Sequence, residues 1–107
     1  MSTPLLTNAM PDLAQELEVL LARQGEPALA AQVQQLQIVD RCRCGDRFCA
    51  TFYTVPCPGG VWGVGHRNVS LDCGTGMLIV DVVDERVAAV EVLDRDEIRQ
   101  RLREILP

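Results

Sequence analysis

Residues 67–93 read RNVSLDC GTG MLIVDVV DER VAAVEVL, and this stretch decides the fold. Three seven-residue runs, rich in Val, Ile and Leu, are separated by three-residue punctuation. In the first run Val69, Leu71 and Cys73 alternate with Asn68, Ser70 and Asp72, which is the period of a half-buried strand. Gly74-Thr75-Gly76 and Asp84-Glu85-Arg86 supply the turn chemistry between runs. Connections this short predict an antiparallel meander of strands 67–73, 77–83 and 87–93. The middle run, Met77–Val83, is apolar on both parities except at Asp81, so it is expected to be a central strand covered on two sides.

Upstream of this meander, period-two patterning over 38–44 and 48–55 adds two more strands, joined at Gly45-Asp46. Still earlier the period becomes helical. Pro11 suits a first helical turn, and Leu13, Leu17, Leu20 and Leu21 follow on one face. Gly25 is a stop signal, and Pro27 starts a second helix carrying Leu29, Val33 and Leu36. The segment 11–36 is thus a helical hairpin, and residues 1–9 are expected to be a flexible tail. Downstream, Asp94 and Glu97 have the spacing of a capping box for a last helix with an Ile98, Leu102, Ile105, Leu106 stripe. Its charged residues, Arg95, Arg99, Arg101, Arg103 and Glu104, are expected on a solvated face. The whole chain, 1–107, reads as a single α+β domain: N-terminal helical hairpin, five-stranded mainly antiparallel sheet, C-terminal helix.

Composition narrows the function classes. Hydrophobic residues make up 48% and charged residues 23%, enough to fill one core and outside the range of disordered chains. No apolar run approaches membrane-spanning length, and no basic region precedes an apolar segment at the start. A cytoplasmic location is therefore expected. The net charge is −5, distributed as −3, +1 and −3 over residues 1–37, 38–73 and 74–107. Acidity of this kind argues against nucleic acid as a partner, since phosphate binding needs a basic stripe. All ten basic residues are Arg, which is the residue bias of a GC-rich bacterial genome.

Residues 42–73 hold everything that could carry chemistry. All five cysteines lie there (Cys42, Cys44, Cys49, Cys57, Cys73), with the only histidine, His66, and every aromatic residue. In CRCGDRFC, Cys42 and Cys44 are two apart on a strand and share a face. A two-residue turn at Gly45-Asp46 pairs Cys42 with Cys49, and three thiols then lie on one face of the hairpin. A four-residue turn preserves that arrangement, whereas a three-residue turn sends Cys49 to the opposite face.

Three readings of these cysteines stand together. They are a zinc site, with Cys42, Cys44, Cys49 and Cys57 as candidate ligands and His66 or Cys73 as substitutes for the fourth. They are small buried hydrophobes, the plainer reading and the one preferred here, because C-x-C-x4-C-x7-C lacks the paired knuckles of common zinc modules. Or they are a thiol redox centre built on Cys42 and Cys49, although alternation turns Arg41 and Arg43 away from the thiols.

The loop 56–66, PCPGGVWGVGH, contains four of the eight glycines and two of the six prolines and matches no phosphate-binding pattern. Trp62 within it is either a binding anchor or a plug folded onto the sheet. With His66 and Arg67 it forms the candidate binding surface. The strand carboxylates Asp40, Asp72, Asp81 and Glu91 show no recognisable pairing by spacing.

CRCGDRFCATFYT, followed by the Gly-rich loop and HRNVSLD, resembles a family of small bacterial proteins sharing a C-x-C-G-D-x-F-C-x-x-F-Y-T type signature. The resemblance extends over most of 38–106 and implies no reaction, cofactor or partner. GMLIVDVVDERVAAVEVLD, residues 76–94, is also similar to the hairpin of another small bacterial family, which implies strand–turn–strand. The expected role is a non-enzymatic binding or interaction module with a protein or small-molecule partner, followed by a zinc-stabilised domain and then a thiol redox enzyme. Its cofactor set is none, or zinc. A five-stranded open sheet has two edges, so a homodimer is also expected.

Overall fold

The computed structural model describes residues 3–56 and 62–107. Helix α2 (Pro11–Arg23) starts on Pro11, as read from the sequence, and buries Leu13, Ala14, Leu17 and Leu21. It ends where Gly25 adopts φ 82°, with the Glu26 N–H donating to the Leu21 carbonyl at 2.9 Å and the Gly25 N–H to that of Ala22 at 3.2 Å. This is the Schellman closure that glycine favours. Helix α3 (Pro27–Gln32) then turns back and tightens into a 3-10 turn over Val33–Gln35.

The described part of the expected flexible tail is instead anchored. Leu6–Ala9 form a short helix, α1, with Leu6 fully buried. The backbone clips it down, Leu6 N–H to the Leu36 carbonyl and Ile38 N–H to that of Pro4, each at 2.9 Å. One fully buried leucine at the end of a chain is too short a signal to show a period.

The sheet has five antiparallel strands in the order β1-β2-β5-β4-β3. These are β1 (Asp40–Arg41), β2 (Phe52–Tyr53), β3 (His66–Leu71), β4 (Met77–Val83) and β5 (Arg86–Leu93). The meander expected from short connections holds for β3, β4 and β5, but β2 pairs with β5 and not with β3. The connection 54–65 therefore bridges three strand spacings, roughly 14 Å. The first two strands are shorter than the expected 38–44 and 48–55. Backbone bonds still extend their pairing, Val39 N–H to the Tyr53 carbonyl and Cys42 N–H to that of Thr51, both at 2.8 Å.

The β4–β5 turn is tighter than the sequence suggested. Asp84 and Glu85 take φ 52° and 64°, the left-handed pair that a two-residue type I′ hairpin requires.

Helices cover one face of the sheet, here called the back. Phe52, Leu78, Val80, Val82, Val90 and Val92 are buried there against Leu17, Leu21, Leu29 and Val33 in one cluster. The expectation that β4 is covered on two sides is thus corrected: on its other face Met77 is 49% exposed.

Helix α4 (Asp96–Ile105) adds Ile98 and Leu102 to the same core. Asp94 does not cap it. It sits at φ 60°, its N–H donating to the Phe48 carbonyl at 2.9 Å, and the helix begins two residues later. Nor is the arginine face merely solvated. Arg95, its side chain 11% exposed, binds Glu16 of α2 at 2.8 Å and Glu97 at 3.0 Å, and Arg101 donates to the Ala9 carbonyl at 3.0 Å. These arginines fasten α4 to the first two helices.

Candidate functional site

The other face, the front, is assembled by register. The β4–β5 hairpin leaves its turn with Val83 opposite Arg86, which continued regularly would set Asp81 opposite Ala88. A bulge between Asp81 and Val82 intervenes, and Asp81 pairs with Ala89 while Ile79 pairs with Glu91. A slip of one residue exchanges faces, so this bulge is what places Asp81 and Glu91 on the same side. Tyr53 pairs with Ala89 and Cys49 with Leu93, which brings Tyr53, Thr51 and Cys49 to that side. Asn68 pairs with Asp81 on β3, and His66 lies two residues earlier.

At the β1–β2 end, the sulfurs of Cys42, Cys44 and Cys49 all lie within 4.8 Å of one another, a cluster that could hold a metal ion. The β1–β2 register, Asp40 with Tyr53 and Arg41 with Phe52, extends through the Cys42–Thr51 bond and, carried on, would set Cys44 opposite Cys49, with four residues between them. The two-residue turn is therefore replaced by a four-residue one. Both are even, so the three thiols still converge. Arg41 and Arg43 do point away, with Arg41 Nε donating to the Leu106 carbonyl at 2.6 Å and Arg43 to Pro107 O at 3.0 Å.

Burial pushes the Cys42 thiol up to about 11, and its thiol neighbours Cys44 and Cys49 add to the rise. Burial also acts to raise Cys49. Hydrogen bonds from the Thr51 backbone and hydroxyl and from the Cys44 and Cys42 thiols outweigh it and hold Cys49 below the ordinary thiol value. One sulfur of the three is thus favoured as thiolate, with the other two donating to it.

Toward β4 and β3 the front face becomes a cleft of about 390 Å³ that Cys42 and Cys49 also border. Its floor holds Asp81, whose side chain is 6% exposed, with His66 Nε2 at 2.9 Å from one carboxylate oxygen. Burial first, and then the adjacent Asp81 carboxyl, push Glu91 up to about 7. Trp62 lies over this face. Its ring is 6.3 Å from Tyr53, tilted by 52°, and 6.2 Å from His66, tilted by 39°.

Of the residues singled out from the sequence, the structure brings Trp62 and His66 together and places Arg67 elsewhere. Arg67 grips Glu26 at 2.9 and 3.0 Å and Glu85 at the same two distances, tying the helical hairpin to the β4–β5 turn. Cys57 lies outside the described residues. Cys73 sits in the β3–β4 turn, its thiol directed at the Thr75 and Gly76 carbonyls, each at 3.4 Å. Sequence reasoning did not single out Tyr53, or the Asp81–Glu91 pairing. The signal that could have found that pair was the hairpin register, since strands 77–83 and 87–93 aligned end to end already set Asp81 opposite Ala89.

Compared with protein-family models, curated proteins and solved structures, the chain matches none.

Proposed function

We propose that the protein is a small metal-binding module that holds a thiophilic ion, zinc first, on Cys42, Cys44 and Cys49. One observation carries this reading: three sulfurs within 4.8 Å of one another on a hairpin whose register keeps them on one face. Tetrahedral zinc with Zn–S near 2.3 Å needs sulfurs about 3.8 Å apart, so each pair has to close by at most about 1 Å. Soft thiolates select zinc over magnesium or calcium. Three ligands leave one coordination position. A further protein ligand fills it in a closed structural site, and an exchangeable ligand fills it in an open one.

The role is binding, not catalysis, in a cytoplasm that keeps thiols reduced. No described helix is long and apolar enough to cross a membrane. A homodimer is proposed through β3, a six-residue strand at the edge of the sheet. Sedimentation showing only monomer at micromolar concentration would exclude it.

The test of the metal reading is elemental analysis of protein purified under reducing conditions, followed by cobalt titration of the stripped chain. One equivalent of zinc, and thiolate-to-cobalt absorption that vanishes in the C42S/C44S/C49S variant, are expected. A folded, reduced chain that retains no zinc and gives no thiolate band would overturn the metal reading; core packing, the reading preferred from the sequence, does not replace it, because Cys44 is exposed and Cys42 and Cys49 are only half-buried.

A further inference from the structure

The cleft on the front face does something the cysteines do not explain. We infer from its aromatic wall and carboxylate floor that it binds a small ligand carrying a primary ammonium group on an apolar body. The inference does not rest on the metal reading, although Cys42 and Cys49 border the same cleft.

At about 390 Å³ the cleft falls within the size range of small-molecule sites. Its floor is acidic, and its one basic neighbour among the described residues, His66, pairs with Asp81. Asp81 is buried and Glu91 half-buried, and among the described residues no arginine lines the cleft, in a chain with ten. Two flanking arginines are committed elsewhere: Arg67 to Glu26 and Glu85, Arg95 to Glu16 and Glu97. His66 satisfies one oxygen of Asp81 and also acts on Glu91 through charge, but among the described residues Glu91 makes no close ion pair.

Two carboxyl groups side by side in a part-buried cleft are costly when both ionise. The same burial and the same Asp81 neighbour push Glu91 above the ordinary carboxyl range. An ammonium group entering between them supplies the missing positive charge and has three N–H donors for Asp81, Glu91 and the Asn68 side-chain oxygen. A strand face meant only to be wetted or packed does not need a buried acid at its centre.

The wall accounts for the rest of the ligand. Tyr53, Trp62 and His66 present rings in sequence, with centroids 6.3 and 6.2 Å apart. Aromatic faces attract cations and pack against the apolar carbons that carry them. Anions are excluded by the floor. Neutral isosteres use the wall but forfeit the charge.

The chain has a single tryptophan, so Trp62 fluorescence reads the cleft directly. Phenethylamine, hexylamine, 2-phenylethanol and 3-phenylpropionate are titrated into the full chain at about pH 8, where a primary amine is still charged and Glu91 is mostly ionised. Both amines should perturb Trp62 saturably, binding at least about tenfold tighter than the alcohol, with no binding of the carboxylate. Glu91→Gln should weaken the amines about tenfold while leaving the alcohol unchanged. Asp81→Asn should do at least as much, with circular dichroism confirming that the variant is folded. Glu91→Gln alone decides the matter if it is not. Equal affinity for amine and alcohol would reduce the cleft to an apolar slot and overturn the inference. So would an unchanged amine affinity in Glu91→Gln, or no saturation by either amine up to about 10 mM.

Discussion

The two faces of the sheet are made from alternate residues of the same strands, yet they differ in what they are for. The back face carries Phe52, Val80, Val82, Val90 and Val92, all under 2% exposed, and the helices close it. The front face carries Tyr53, Asp81 and Glu91 from the same strands, with His66, Trp62 and the three clustered thiols around them. One parity buries apolar surface and supplies stability. The other holds titratable and soft groups that a stable fold does not need. The proposed sites rest on this division, and each prediction below tries either to break it or to sharpen it.

The largest effect belongs to the back. Phe52 is fully buried, and Phe52→Ala should cost about 3–5 kcal/mol in urea unfolding, the usual range for a large core side chain. A loss below about 1 kcal/mol would mean that the back face is not the core. Next comes the front-face metal. A ligand that binds only the folded chain stabilises it by about 2.7 kcal/mol at a hundredfold excess over Kd. Zinc at that excess should raise the unfolding midpoint of the reduced wild type and leave the C42S/C44S/C49S variant unmoved. An equal rise in both would place the metal elsewhere.

Trp62 sharpens the contrast because it is a larger ring than Phe52 and sits half-buried on the front. Trp62→Ala should cost about 1–2 kcal/mol, less than Phe52→Ala, because part of its surface already faces water. A loss as large as that of Phe52 would make Trp62 a plug that completes the core.

The back face was far more legible than the front. The three-strand meander could be read because its turns are local and its alternation is strong, and the Gly25 stop and the α2 stripe are local too. The attachment of β2 to β5 was not, since no local signal tells a strand which neighbour to choose across a long connection. Asp94 looked like a cap by spacing alone. The bond its N–H makes to Phe48, far away in sequence, is what draws it into the left-handed region. The thiol cluster was legible up to a parity argument, because even turns converge the sulfurs and odd ones do not. The acidic floor was legible but unread, since strands 77–83 and 87–93 aligned end to end already set Asp81 opposite Ala89. It depends on a bulge of one residue offsetting a turn one residue shorter than expected, and each change alone would have sent Glu91 to the other face.

The smallest predicted effect tests that floor. Glu91 has its folded-state value pushed up to about 7, above the ordinary carboxyl range, by burial and by the Asp81 carboxyl beside it. Between the unfolded value near 4.5 and about 7, the folded chain holds more protons at this group than the unfolded chain does. Stability from Glu91 is therefore present at low pH and falls as pH rises through that window, the reverse of a salt-bridged carboxylate. Because the side chain is only part-buried, solvent screening reduces the loss to about 1 kcal/mol. Other groups titrate over the same range, so the informative quantity is the difference between wild type and Glu91→Gln, measured by urea unfolding at several pH values. That difference should shift in favour of Glu91→Gln from pH 5 to pH 8, by about 1 kcal/mol. A difference that stays flat would mean that Glu91 ionises freely. The front face would then have no strained carboxyl pair to distinguish it from an ordinary wetted strand surface.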